Sequence, residues 1–269
     1  MKAKEIVEYI LEIAPFKDSF GEIPHDDGFV FGNPDMEVKG IGVTWSPTLP
    51  VLQKAVDERL NFIITHEFLF WPHQETVWFK SEKDIMKKLP NYLRKKILEE
   101  NQITVYMTHK NWDAAPEWGM CDSFPKFLGF EKEITRGRFT RVHQIQPVKL
   151  KELAEMIKEK MNLPVIRVAG NMERKVSKVG TACGGLGQIF GIPEELHRLG
   201  AEVVVFGEVL DYTVRCCLEH GMSAIETSHI LSENPGVENL SIKLKEKFPE
   251  IKILFLDAGY PFQSFPENF

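Results

Sequence analysis

Apolar residues in this chain follow two alternating rhythms. Short runs rich in Val, Ile and Phe, bounded by Gly, Pro, Asn or Asp, alternate with longer segments whose apolar positions recur at helical spacing. The short runs predict strands at 40–45, 61–66, 103–109, 138–145, 164–170, 178–183, 202–208, 223–229 and 252–259. The longer segments predict helices at 50–60, 149–161, 192–199, 211–220 and 237–248. A charged helix is expected from Ser81 onward, where Ser81 and Asp84 have the spacing of a capping box, and Pro90 is expected to kink or divide it. At the N-terminus Ile6, Val7, Ile10 and Leu11 share one helical face, while Glu5, Glu8 and Glu12 interrupt any continuous apolar run. That pattern predicts a surface helix rather than an export signal. Strand–helix alternation of this kind predicts an α/β fold built of βαβ units, with two related halves whose strands are mainly parallel.

The two halves show as an internal echo. Residues 40–67 read strand, helix, strand and close on Thr65-His66-Glu67; residues 176–208 repeat the order and close on Phe206-Gly207-Glu208. Each is followed by a helical stretch and a strand ending in H-x-x-x-(D/E): His109 to Asp113, then His229 to Glu233. The expected organisation is a first lobe of residues 1–130 plus 224–269 and a second lobe of 131–223, with a β-α-β insert at 131–175.

Composition narrows the function classes. Lys and Arg total 33 against 39 Asp and Glu, a net charge of −6, so no electrostatic footprint for nucleic acid is present. No stretch reaches transmembrane length. Cys121, Cys183, Cys216 and Cys217 form no C-x-x-C pair and read as reduced thiols, so the chain is expected to be cytoplasmic.

The chemistry lies at strand ends. In parallel α/β sheets ligands collect beyond the C-terminal edge, and four apolar strands here end in His66-Glu67, in His109 with Asp113, in Glu208, and in His229 with Glu233. Imidazoles and carboxylates gathered at one edge are typical ligands of divalent metals. A single H-x-x-x-D motif is equally a capped turn or a packed histidine, but several at successive strand ends point to metal. Two histidines with three carboxylates exceed one closed tetrahedral site and suit a pair of ions with a bridging carboxylate.

These residues resemble the NIF-three-like family, whose members are also labelled GTP cyclohydrolase type two homologues. The resemblance spans nearly the whole chain. It is carried by Asp26-Asp27-Gly28-Phe29-Val30-Phe31-Gly32, by Ile63-Ile64-Thr65-His66-Glu67-Phe68, and by His109-Lys110-Asn111-Trp112-Asp113 continuing to Asp122 and Leu128-Gly129. Arg167-Val168-Ala169-Gly170, Cys183-Gly184-Gly185-Leu186-Gly187, Phe206-Gly207-Glu208 and Ser228-His229-Ile230-Leu231-Ser232-Glu233 complete it. The resemblance implies two linked α/β halves in a toroidal homohexamer. It also implies two divalent ions (manganese, iron or zinc) held by His66, Glu67, Asp113, His229 and Glu233, the last bridging both. The family carries a second histidine where this chain has Glu67, and proline where it has Phe68. An anionic oxygen in place of a neutral nitrogen implies a shift toward harder ions such as manganese, iron or magnesium, or the loss of one ion.

Around this set, His109 is read as an orienting partner of Asp113 or as a packed histidine. Glu208 is read as a general base, a group that fixes a ligand, or a helix-capping charge. The Cys183–Gly187 turn offers backbone N–H groups to an anion or is a plain tight turn, and it lacks the lysine of a P-loop. Phe68, Phe70, Trp71, Trp78 and Phe79 wall a ring pocket, or pack in a core or subunit contact. The charged face of 81–100 reads as a solvated helix. The leading expectation is a metal-dependent hydrolase of a small nucleotide-like or heterocyclic substrate, with Glu208 or His109 moving the proton. Its rival is a non-catalytic metal-binding regulatory or assembly protein acting through partners. Nucleic-acid binding through a ring is the least favoured, because of the charge.

Overall fold

The computed structural model describes residues 1–17, 22–24, 27–72 and 85–265. Asp26, Trp78, Phe79 and the Ser81–Asp84 capping box lie outside the described residues. The chain forms two compact units, Met1–Gly119 with Val237–Ala258, and Met120–Gly236 with Gly259–Phe269.

In the first unit, β1 (Gly28–Phe31), β2 (Gly40–Thr44), β3 (Phe62–Thr65), β4 (Thr104–Met107) and β11 (Lys252–Phe255) form one sheet in the order β1-β4-β3-β2-β11. β2, β3, β4 and β11 run parallel and β1 pairs antiparallel with β4. β2, β3 and β4 are buried along their whole length, as parallel strands covered on both faces must be. α1 (Ala3–Ile13), α2 (Leu49–Asp57), α3 (Leu89–Glu100) and the single turn α4 (Lys110–Asp113) accompany them. Thr48 caps α2, its hydroxyl accepting from the Val51 N–H, and Val51, Leu52 and Ala55 pack with Leu60, Ile63, Leu98 and Val105. Pro90 does not kink a helix. It sits in the first turn of α3, where its missing N–H costs no bond.

The second unit holds β5 (Lys132–Arg136), β6 (Arg141–Lys149), β7 (Arg167–Ala169), β8 (Lys175–Ala182), β9 (Val203–Phe206) and β10 (Ser223–Glu226), ordered β5-β6-β8-β9-β10-β7. β8, β9 and β10 are parallel; β5, β6 and β7 are antiparallel to their neighbours. Its helices are α5 (Met120–Leu128), α6 (Leu150–Lys160), α7 (Gly191–Arg198) and α8 (Asp211–Glu219). Ile192, Leu196, Val204, Phe206 and Cys217 pack together in its core. α9 (His229–Lys247) passes from this unit to the first at Val237.

The internal echo is a topological repeat. β1-β4-β3-β2 and β7-β10-β9-β8 have the same order, each with three parallel strands flanked by one antiparallel strand from just upstream. The units divide at 119/120, 236/237 and 258/259, where the expected lobes divide at 130/131 and 223/224. β10 pairs with β9 and β7 and so stays in the second unit, which also takes α5. The insert carries an additional edge strand, β5, whose residues alternate between exposed and half-buried. α9 begins at His229 rather than near 237: the Ser228 hydroxyl accepts from the Leu231 N–H, and Pro235 is carried inside the helix. Among the described residues no helix is long and apolar enough to cross a membrane.

Candidate functional site

In the first unit the parallel register places Thr65 opposite Met107, so the chain leaves β3 and β4 side by side, with His66 beside Thr108 and His109. The His66 N–H donates to the Thr44 carbonyl at 3.1 Å and the Glu67 N–H to the Trp45 carbonyl at 2.7 Å, fixing this exit. His66 is buried, and its Nδ1 lies 3.1 Å from the Thr108 carbonyl oxygen. A carbonyl only accepts, so Nδ1 carries a proton. Nε2 faces Asp113 Oδ1 at 3.4 Å.

Asp113 is presented by α4, the single turn that begins where β4 ends. The Asp27 carboxylate holds that turn, accepting from the backbone N–H of His109 at 2.6 Å and of Asn111 at 3.4 Å. The His109 ring stands edge-on to His66, with centroids 4.8 Å apart, and its Nε2 is 3.8 Å from Glu67 Oε1. Ligand atoms of His66, Glu67 and His109 all lie within 4.8 Å of one another. His109 therefore stands within reach of the same donor atoms. The sequence reading sets His109 beside Asp113 or packs it at a strand end, and the structure adds its nearness to Glu67. Phe68 packs its ring against His109, with centroids 5.6 Å apart.

The second unit repeats the arrangement. His229 opens α9, and its Nδ1 is 3.0 Å from Glu208 Oε2, at the end of β9. Its Nε2 lies 3.2 Å from Glu233 Oε2, one turn along the same helix. The Glu208 carboxylate accepts from His229 and from the Gln188 amide, and the His229 bond holds its carboxyl below the usual carboxylate range although burial opposes this.

The Cys183–Gly187 turn closes around this group. The Ser232 hydroxyl accepts from the Gly184 N–H at 2.9 Å and donates to the His229 carbonyl at 2.7 Å. Gly184 has φ of +56°, and a Cβ there would overlap a Glu233 carboxylate oxygen. A Cβ at Gly207 would meet the Gly184 backbone and the Ser232 hydroxyl. The glycines thus serve the close approach of Glu233, itself only 4% exposed.

Two donor groups result, one in each unit: His66, Glu67, His109 and Asp113 in the first; Glu208, His229 and Glu233 in the second. In both, a histidine commits Nδ1 to an acceptor and turns Nε2 toward a carboxylate. Two acceptors flanking one imidazole require a cation between Nε2 and the carboxylate, either a proton or a metal. The Nδ1 partners are those that orient imidazole ligands at metal sites. Asp27, the Thr108 carbonyl, Gln188 and Ser232 escape sequence reasoning as partners, because each works through backbone or long-range hydrogen bonding. Asp27 and Ser232 left a signal, as members of the acidic, glycine-rich opening and of the Ser228–Glu233 motif.

Comparison with known proteins gives one family. The model for Duf34/NIF3 (NGG1p interacting factor 3) matches residues 1–260. A protein of Methanocaldococcus jannaschii named GTP cyclohydrolase 1 type 2 homolog is 28% identical over 264 residues, covering 96% of this chain and all of its own length. A Clostridium acetobutylicum protein of the same name is 27% identical, covering 91% of this chain and 90% of its own. Among solved structures, protein ybgI, titled as of unknown function, has a TM-score of 0.79 at 23% identity, covering 97% of this chain and 100% of its own. Reduced HcgD from Methanocaldococcus jannaschii has a TM-score of 0.72 at 24% identity, covering 95% of this chain and 98% of its own. These structural likenesses show a shared fold.

Proposed function

The chain belongs to the Duf34/NIF3 family, and from that premise we propose a divalent-metal-binding protein that hydrolyses a small nucleotide-like or heterocyclic substrate. The observation that carries this reading is the imidazole arrangement met twice, at His66 and at His229. In this reading His66, Glu67 and Asp113 of the first unit, and His229 and Glu233 of the second, would hold the divalent ions. Glu67 adds an anionic oxygen, which favours manganese or iron over zinc.

Bound there, divalent ions supply Lewis acidity and an activated water at near-neutral pH. The chain's own groups do the rest. The Thr108 carbonyl and Glu208 keep the protons of His66 and His229 on Nδ1, so both Nε2 atoms remain donors to a cation. Glu208, engaged by His229 and Gln188, is a positioning residue rather than a free base. His109, at the rim of the first group and 21% exposed, is assigned the proton transfer at Nε2.

The test has two measurements. Elemental analysis of the purified chain should give about two ions per chain, both lost with the Asp113→Ala and Glu233→Ala pair. Turnover is then followed on a panel with added manganese, iron or zinc. The relatives' names place guanosine triphosphate on that panel. Full activity in both variants sinks the hydrolase reading, and a wild-type chain that takes up no ion sinks metal binding itself. Metal uptake without turnover on any compound would favour the non-catalytic assembly reading. The hexameric ring belongs to the same proposal and is measured by light scattering.

A further inference from the structure

A further set of metal-ligand side chains, sharing no residue with the two donor groups, lies where α7 meets α8. Glu194 and His197 stand three residues apart on α7; Cys216 lies on α8, and His220 follows four residues later at its end. Residues three or four apart on a helix share a face. Here the two faces meet: His220 Nε2 lies 2.9 Å from Glu194 Oε1, and the ligand atoms of Glu194, Cys216 and His220 all lie within 4.8 Å of one another. The His197 ring stacks on His220, with centroids 4.5 Å apart and planes 25° from parallel, and so fixes the plane of that imidazole.

A Glu–His pair alone would be an ordinary surface ion pair of little consequence. The thiol changes the chemistry. Of the adjacent cysteines, Cys217 points into the core of the second unit, where burial pushes its thiol up to about 12. Cys216 points the other way, toward Glu194 and His220, and burial with the Glu194 and Glu219 charges raises its thiol as well. A thiol among carboxylates resists ionising on its own, whereas a divalent cation at the same place stabilises the thiolate and the carboxylate together.

We propose that Glu194, Cys216 and His220 form a separate binding site for a thiophilic divalent ion of the zinc class, which clamps α7 to α8. The three donors are one sulfur, one imidazole nitrogen and one carboxylate oxygen, with a fourth position left to water. Binding exchanges a proton for the metal: the Cys216 S–H bond breaks, the proton leaves to solvent, and the thiolate bonds the ion. No oxidant or reductant is needed. The proposal does not depend on the function proposed above, whose donors contain no sulfur.

That difference supplies the test. Cobalt(II) is titrated into the reduced full-length chain and into the Asp113→Ala, Glu233→Ala pair. Both should develop thiolate-to-cobalt charge-transfer absorption, which should be lost in Cys216→Ser and in His220→Ala. In the wild-type chain, zinc should slow alkylation of Cys216 as mapped by mass spectrometry, a measurement that needs no variant to fold. Absence of the charge-transfer band, its persistence in Cys216→Ser, or alkylation of Cys216 at the same rate with and without zinc would each overturn the site. Loss of metal from the other donors leaves this result untouched, so the two proposals fail separately.

Discussion

His229 donates from Nδ1 to the Glu208 carboxylate 3.0 Å away, and this bond decides which nitrogen faces Glu233. The first unit reaches the same outcome by different means. There the acceptor is the Thr108 backbone carbonyl, 3.1 Å from His66 Nδ1, and the facing carboxylate is Asp113. A side chain and a main-chain oxygen thus do the same work in topologically equivalent places.

Glu208→Ala should weaken metal binding without removing a proposed ligand. With no acceptor at Nδ1, the His229 ring is free to turn and to change tautomer. Loss of such an orienting partner costs about 10–100-fold in metal affinity. Competition with a chromophoric chelator measures it, and wild-type affinity in the variant would count against the orienting role.

Gly184→Ala should damage both stability and the second donor group. Residue 184 has φ of +56°, and a methyl there would overlap Glu233. Backbone incompatibility and the displaced carboxylate together should cost more than about 1 kcal/mol. Urea denaturation reads the loss, and metal content should fall in the fraction that still folds. A variant with unaltered stability would mean that the turn relaxes at little cost.

The Asp122–Arg141 pair gives a larger effect away from the donors. Arg141 Nε donates to Asp122 Oδ1 at 2.5 Å, with both side chains nearly fully buried. Asp122→Ala leaves the guanidinium buried with only Glu133 and main-chain oxygens near it, a change of a kind that costs about 3–5 kcal/mol. The double change Asp122→Leu with Arg141→Met should cost much less, because no uncompensated charge remains. Equal losses in the single and double variants would contradict this account.

Glu202 sets part of the acid response. Burial alone would raise its carboxyl, but hydrogen bonds from the Ser177 and Lys178 N–H groups and the Ser177 hydroxyl outweigh burial and lower it. A carboxyl lowered by folding contributes stability above its unfolded pKa, about 4.3 for glutamate, and that contribution is lost as pH falls through the folded value. Wild type and Glu202→Gln should therefore differ most at neutral pH and converge as pH drops below about 4. Chemical denaturation across pH checks this, and a gap that widened on acidification would reverse the assignment.

Much of the architecture was legible because its signals are local. FIIT of β3 and VVVF of β9 are apolar runs too short for helices, and each proved a buried parallel strand. β1 and β5 were not legible: GFVF is brief, and KEITR mixes charged and apolar residues without a clean apolar face. Pro235 and Gly236 hid the first turns of α9, because local propensity disfavours a helix that Ser228 capping and packing sustain. Pro90 misled in the opposite sense. From the sequence it looked like a break, yet it begins α3.

The sequence by itself determined the alternation of strand and helix, the internal repeat, the family resemblance, and the placing of His and carboxylate residues after apolar strands. These follow from periodicity and residue type, which are properties of neighbours along the chain. The tertiary structure alone decided that His66 meets the Thr108 carbonyl, that Glu208 takes His229, and that Gly184 makes room for Glu233. Such pairings span from 21 to 49 residues and depend on strand register and turn conformation. Register shifts every partner at once, so it is set by the packing of whole sheets and not by any short stretch of chain.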